Sequence, residues 1–320
     1  MYTIGIDLGG TNIAVGLCDK DLNIIEKASV PTGADRDGKE IVRDMAALTE
    51  KIIKNNNLTI DDIDCVGIAT PGSANEKTGV VEYANNLPFR NFPIAEIFKS
   101  FLPVKRVLIA NDANAAALGE ALAGVAKNTN TSVMITLGTG VGGGVIIDGH
   151  IFSGGINCSG TELGHTVISF DGKQCSCGRR GCWEAYSSAT ALIGMTKDKM
   201  RELSLKELPS ALFDIEKKYG KVSGRTAFDA MRLGDKYGSE IVDEYIKHLA
   251  AGIANMINIF QPEVLSIGGG ISNEKDYLLK PLVELVNVEQ YTRGNDVKCK
   301  VLIASLGNDA GIIGAAGLGR

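Results

Sequence analysis

Positive charge is scarce in this chain. Its 33 lysines and arginines are outnumbered by 38 aspartates and glutamates, a formal net charge of −5. That balance argues against nucleic acid or an anionic membrane surface as the main partner, because either calls for a basic patch. Long apolar runs are missing as well, and Met1-Tyr2-Thr3-Ile4 leads straight into a strand instead of a charged n-region and apolar h-region, so a cytoplasmic protein is expected. Histidine occurs only three times in 320 residues. What remains is globular in character, 44% hydrophobic and 22% charged, and long enough for two domains or lobes. Glycine is the outlier, with 39 residues in clusters.

One stretch concentrates the rare residue types. Glu162 to Glu184 reads ELGHTVISFDGKQCSCGRRGCWE and holds His165, Cys175, Cys177 and Cys182. A Cys-x-Cys pair with a third Cys five residues on and a His ten residues earlier can close a tetrahedral Zn²⁺ site, and Gly178 and Gly181 allow the tight turns between ligands. Buried cysteines beside a surface histidine, or a disulfide, are the plainer explanations. Adjacent thiols in a Gly- and Arg-rich segment make a poor core, however, and a chain without a secretory signal stays reduced. Four protein ligands leave no open position, so the metal is expected to be structural and to stiffen a wall bracketed by Glu162 and Glu184, suited to a polyol. The other cysteines, Cys18, Cys65, Cys158 and Cys299, lie mostly in apolar runs and read as inert.

The rest of the chain alternates strands and helices. Residues 2–8 and 13–17 read as a hairpin around Gly9-Gly10-Thr11-Asn12, with a third strand over 22–30. Bare backbone N–H groups in that turn could cradle a phosphate with Asp7 aimed at its Mg²⁺, although a plain hairpin turn explains the segment equally well. Helical spacing predicts a helix over 38–57, and residues 63–69 a buried strand before the turn Thr70-Pro71-Gly72-Ser73. A short strand at 80–83 precedes Asn85-Asn86, two amides in a loop. The strand at 106–110 delivers Asn111-Asp112 to an Ala-rich helix over 113–123. An Asn or Asp there is an ordinary N-cap, whereas a carboxylate at a strand's carboxyl end can also serve as a general base, and one residue can fill each role. Residues 132–147 repeat the first hairpin: ITLGTGVGGGV matches IDLGGTNIAV in order, a weak internal duplication that offers a second phosphate turn at Gly138-Thr139-Gly140. Both turns lead into strands, which disfavours a dinucleotide fingerprint. Residues 187–237 are polar and helix-prone, broken at Gly220 and Gly224. A long helix is expected over 240–260, with His248 an ordinary helix histidine. A strand at 264–267 ends in Gly268-Gly269-Gly270, where backbone can lie flat against a nucleoside or simply turn toward a helix. A last strand at 297–304 and a small-residue helix at 309–318 close the chain.

These pieces resemble the ROK sugar kinases, most closely the bacterial glucokinases among them. The likeness rests on DLGGTN at 7–12, NDANAAALGE at 111–120, LGTGVGGG at 137–144, ELGH at 162–165, CSCGRRGCWE at 175–184 and IGGG at 267–270. DLGGTN is shared with other actin-like ATPases, while ELGH with CxCGxxGCxE is specific. The resemblance implies an α/β, two-lobed actin-like ATPase (ribonuclease H-like) fold with the zinc loop in the larger lobe. Residues 1–123, completed by the helix 306–320, would form the small lobe, and 124–305 the large lobe with the zinc motif and adenosine site. It implies a glucose 6-hydroxyl phosphorylated by ATP with Mg²⁺. Asp112 would be the catalytic base, and Gly72, Asn86, Asn111, Asp112, Glu162, His165 and Glu184 the sugar contacts. Asp7, Gly9, Gly10, Thr11 and Asn12 with Gly138, Thr139 and Gly140 would form the phosphate and Mg²⁺ site, and Gly268, Gly269 and Gly270 the adenosine site. Zn²⁺ would be held by His165, Cys175, Cys177 and Cys182. ATP would lie between the lobes, and a homodimer or homotetramer is implied. N-acetylhexosamine, fructose or allose are alternative acceptors. The family also includes sugar-responsive regulators, disfavoured here because the chain begins at its first strand, and an actin-like filament has no use for the zinc knot. One departure from the family pattern is Thr161, where many members carry Gly before the motif glutamate, and it bears on which sugar is accepted.

Overall fold

The computed structural model describes residues 2–320. Its first half comprises β1 (Tyr2–Leu8), β2 (Asn12–Cys18), β3 (Ile24–Pro31), α1 (Gly38–Asn55), β4 (Ile63–Thr70), β5 (Ser73–Asn75), β6 (Val80–Tyr83), β7 (Arg90–Phe92), α2 (Ile94–Phe101), β8 (Val107–Asn111), α3 (Asp112–Ala123), β9 (Ser132–Leu137), β10 (Val141–Ile147) and β11 (His150–Ile151). Its second half comprises α4 (Glu184–Ser187), α5 (Ala189–Leu205), α6 (Ala211–Tyr219), α7 (Thr226–Arg232), α8 (Lys236–Phe260), β12 (Val264–Gly268), α9 (Asp276–Glu289), β13 (Lys300–Ile303) and α10 (Ala310–Gly317).

Two five-stranded sheets have the same plan. The first runs β3-β2-β1-β4-β8 and the second β11-β10-β9-β12-β13, while β5-β6-β7 make a small third sheet. In the first, β1 pairs antiparallel with β2 and parallel with β4, with Gly5 opposite Gly16 on one side and Gly67 on the other. The duplicated hairpin motif thus has a counterpart in strand order. Two compact units follow: residues 1–134, 144–161 and 305–320 form one, and residues 135–143 and 162–304 the other.

Within the first unit the sheet has two unlike faces. One carries Ile4, Ile6, Leu8, Val15, Ile68 and Ile109 against Ile41, Met45 and Ile52 of α1 and Phe98 of α2, all at most 1% exposed. Burying each such aliphatic side chain contributes roughly 1.5–3 kcal/mol. The other face is built of small residues: Ala69 of β4 and Ala110 of β8 pack with Ala115 of α3 and Ala315 of α10. There α10 approaches so closely that a Cβ at Gly5 would stand 1.9 Å from the Ile312 carbonyl oxygen, and one at Gly67 1.8 Å from that of Ala315. All eight residues of α10 are buried.

Helix ends follow local chemistry. Asp37 caps α1 by accepting from Lys39 N at 2.8 Å, and Asp235 caps α8 through Tyr237 N and Gly238 N, so α8 begins four residues earlier than its apolar spacing indicates. Gly220 ends α6 in the left-handed region at φ +70°. The polar stretch 187–237 resolves into α5, α6 and α7. The last strand is shorter than expected, Lys300–Ile303, and α2 and α9 carry no sequence-level expectation at all. Among the described residues, no helix is long and apolar enough to cross a membrane.

Candidate active site

In the first unit the site grows from the ends of β1 and β8. Asp7 lies one residue before the end of β1, and burial, with the negative charge of Asp112 second, pushes its carboxyl up to about 6 from an ordinary 3.8. The first residues of the small-residue helix crowd it, since a Cβ on Gly311 would come within 2.8 Å of the carboxylate. At the end of β8, Asn111 is the N-cap of α3, accepting from Ala113 N at 2.9 Å and Asn114 N at 3.2 Å. Its amide also donates to the Gly72 carbonyl at 3.0 Å. Gly72 itself sits at φ +86°, where a side chain would be strained, and a Cβ would strike the Tyr83 carbonyl at 2.1 Å. Asp112, exposed in the first turn of α3, accepts from Ala113 N at 2.8 Å. The capping role thus falls to Asn111, and Asp112 follows it as an exposed carboxylate. Asn86 lies in an exposed loop whose Cβ is 3.6 Å from where a Cβ on Gly10 would be.

The glycine turns are less open than a bare-turn reading expects. Gly9 N donates to Asn12 O at 2.9 Å, and Gly138 N donates to Gly140 O at 3.0 Å. Closing each hairpin consumes the first amide of the turn, so Gly10, Thr11, Asn12, Thr139 and Gly140 are the remaining candidates for phosphate donors. The first turn is braced by Thr32, whose hydroxyl donates to Gly9 O at 2.6 Å.

In the second unit, Glu184 organises the neighbourhood. Its Oε2 accepts from Val141 N at 3.0 Å, and Oε1 accepts from the Ser176 hydroxyl at 3.1 Å. A Cβ on Gly140 would lie 2.2 Å from Glu184 Oε2, so a side chain there would displace that carboxylate. Gly138 O accepts from Ala189 N at 2.8 Å and Thr139 O from the Thr190 hydroxyl at 2.7 Å, pinning the turn to the start of α5. Glu162 is exposed just before a single 3-10 turn, Leu163–His165. That turn packs on β10 through glycine, since a Cβ on Gly143 would meet Leu163 at 2.5 Å and one on Gly164 the Val141 carbonyl at 2.1 Å. Gly268 ends β12, and Gly269, at φ +82°, passes so near Leu137 that a Cβ would lie 2.5 Å from its carbonyl oxygen. This run leads into a 3-10 turn over Gly270–Glu274, with Ser272 bonded back to Gly269 O.

The sulfur-rich loop closes as its spacing predicts. His165 Nδ1 lies 3.7 Å from Cys175 Sγ, Cys177 Sγ lies 3.7 Å from Cys182 Sγ, and all four donor atoms fall within 4.8 Å of one another. Tetrahedral Zn²⁺ with Zn–S bonds of about 2.3 Å would set its sulfurs about 3.8 Å apart, so the donor set fits such an ion. Gly178 and Gly181 take φ +89° and +79° as the loop turns. Arg179 donates to the His165 carbonyl at 3.2 Å. Behind the loop, Trp183 is fully buried flat against Gly252 of α8, where a Cβ would come within 2.0 Å of the indole. Burial raises the thiols of Cys18, to about 12, and Cys299, to about 11, in keeping with inert core residues. His248 packs against Tyr186 with the rings tilted by 51° and their centroids 4.7 Å apart, and its pKa is lowered by burial, as for an ordinary helix histidine.

Two five-stranded sheets of one plan, with glycine turns after their first strands and a Cys₃His loop, make this a mixed α/β protein of the actin-like ATPase architecture that ROK sugar kinases have. The chain belongs to the ROK family, whose profile matches residues 3–320. A glucokinase of Thermotoga maritima is 37% identical over 319 residues, covering 98% of this chain and 96% of that protein. The crystal structure of a ROK family glucokinase from Streptomyces griseus in complex with glucose and AMPPNP superposes with a TM-score of 0.79 at 31% identity, covering 99% of each chain. A xylose repressor of Caldicellulosiruptor bescii is 30% identical over 321 residues, covering 97% of this chain and 76% of its own.

Proposed function

We propose that this protein is an ATP-dependent hexokinase that transfers the γ-phosphoryl group to the 6-hydroxyl of glucose. The observation that carries the reading is an exposed Asp112 at the end of β8, next to the N-cap Asn111, in a chain whose fold matches over 99% of its length that of a glucokinase whose structure holds glucose and AMPPNP. In this reading Asp112 accepts the proton of the acceptor hydroxyl as transfer proceeds in line. Gly72, Asn86, Asn111, Glu162, His165 and Glu184 hold the sugar. A carboxylate left without its sugar hydroxyl is costly, which gives discrimination among hexoses. Gly10, Thr11, Asn12, Thr139 and Gly140 donate to phosphate oxygens, and Gly268 to Gly270 lie along the adenosine. Two mutually repelling carboxylates, Asp7 and Asp112, suit a divalent cation: Mg²⁺ would neutralise charge on the transferring phosphate, and Asp7 is the residue to hold it. Zn²⁺ held by His165, Cys175, Cys177 and Cys182 would supply no chemistry of its own, only a stiff loop. Ligation through His165 Nδ1 leaves Nε2 as the ring nitrogen available to a sugar. A cytoplasmic homodimer or homotetramer acting in glucose catabolism accords with this reading.

Since a repressor shares the family, the decisive assay must read phosphoryl transfer, not sugar binding. ADP release with glucose, mannose, fructose, allose, N-acetylglucosamine and N-acetylmannosamine is expected to be fastest with glucose. In Asp112→Ala turnover should fall by about a hundredfold or more while glucose still binds by calorimetry. Near-normal turnover in that variant would remove the base assignment.

A further inference from the structure

Of the eleven residues other than glycine with positive φ among those described, Thr161 is the only β-branched one, at φ +62°. Branching at Cβ makes the left-handed region a true outlier for threonine, and a conformation of this kind persists only where its surroundings impose it. The segment leading to it is clamped at three points. Gly160 N donates to Ser153 O at 2.8 Å, Asn157 donates to Glu82 Oε2 at 2.9 Å, and the hydroxyls of Ser159 and Ser73 are bonded to each other. These bonds fix the loop as far as Gly160, with Cys158 inside it also left-handed at φ +56°, and Thr161 is the last such residue before Glu162. The Thr161 hydroxyl donates to the Gly160 carbonyl at 2.7 Å and lies 3.4 Å from Oδ1 of Asn114, a buried side chain two residues beyond Asp112.

We propose that Thr161 is a positioning residue for the acceptor sugar, its hydroxyl holding the chain in the left-handed turn from which Glu162 is presented. This rests on the hexokinase reading above. If backbone geometry alone mattered, glycine would serve better, since it enters the left-handed region without cost; but glycine enters the extended region as readily and would leave Glu162 free to wander. Valine keeps the branching and loses the hydroxyl bond that offsets it. Serine keeps the bond.

Steady-state kinetics on Thr161→Ser, Thr161→Val and Thr161→Gly, paired with thermal melts, test this. Serine is expected to stay within about twofold of the parent in glucose KM, while valine and glycine raise it about five- to tenfold, with ATP KM unmoved. Thr161→Gly should melt no lower than the parent, so that sugar affinity falls while stability holds or rises, a split that a merely structural residue would not show. Parent-like glucose KM in Thr161→Gly, or a serine variant as poor as glycine, overturns the proposal. A parent chain that phosphorylates no hexose takes down the hexokinase reading and this inference together, whereas an active parent with an indifferent glycine variant takes down this inference alone.

Discussion

At the scale of the residue, Asp7 is a strongly perturbed carboxyl with a place in the proposed mechanism. Its carboxyl titrates near 6 in the folded chain instead of 3.8, burial first and Asp112 second. A raised carboxyl pKa means folding favours the protonated form. That contribution is complete below about pH 4 and is lost as pH rises through 6, on the order of 2–3 kcal/mol in all. In metal-free protein, Asp7→Asn is therefore expected to resist urea better than the parent at pH 8, with the advantage shrinking by pH 5. An equal difference at both pH values would show that the carboxyl is not shifted. The identity of Asp7 is plain in the motif; its pKa is not, because the desolvating neighbour at Gly311 is more than three hundred residues away in sequence. Thr161 is similar: its departure from the family pattern shows in the sequence, but the left-handed backbone that gives the departure meaning appears only in the fold.

At the scale of the element, the Cys₃His loop is where spacing and structure agree most closely, because a metal loop is local chemistry with all four donors inside eighteen residues. Cys177→Ser is expected to release zinc, read by metal analysis, and to raise glucose KM with it, since Glu184 is bonded to Ser176 within the loop and to Val141 N beside the phosphate turn. Retained zinc with parent KM would mean that the loop does not position the sugar site. The glycine turns were half legible. Their order announces hairpins, but which amides the turn itself consumes, Gly9 and Gly138, depends on the register that closes it. The start of α8 was misplaced for a comparable reason: apolar spacing marks the buried face, whereas Asp235 extends the helix by capping.

At the scale of the whole molecule, the chain's end completes its beginning. Glu120, fully buried in α3, accepts from Leu306 N at 2.8 Å and from the Ser305 hydroxyl, and α10 then runs across Gly5 and Gly67. What a Cβ on Gly67 would meet is the Ala315 backbone of α10, which cannot swing aside as the end of a side chain could. Gly67→Ala is expected to cost about 3 kcal/mol or more in urea unfolding. Gly194→Ala, in α5 where a Cβ would meet nothing within 4 Å, should instead gain about 0.5–1 kcal/mol. A Gly67 variant as stable as the parent would contradict the close packing of α10.

The sequence by itself determined the alternation of strands and helices, the duplicated hairpin, the grouping of His165, Cys175, Cys177 and Cys182 and the family, because each is written in local spacing or in a short motif. Only the tertiary structure decided which of Asn111 and Asp112 caps α3, which turn amides the hairpins themselves use, why Gly5 and Gly67 must lack side chains, and that Thr161 is held left-handed. Those outcomes depend on what distant segments place against a residue, and no periodicity along the chain encodes such a neighbour.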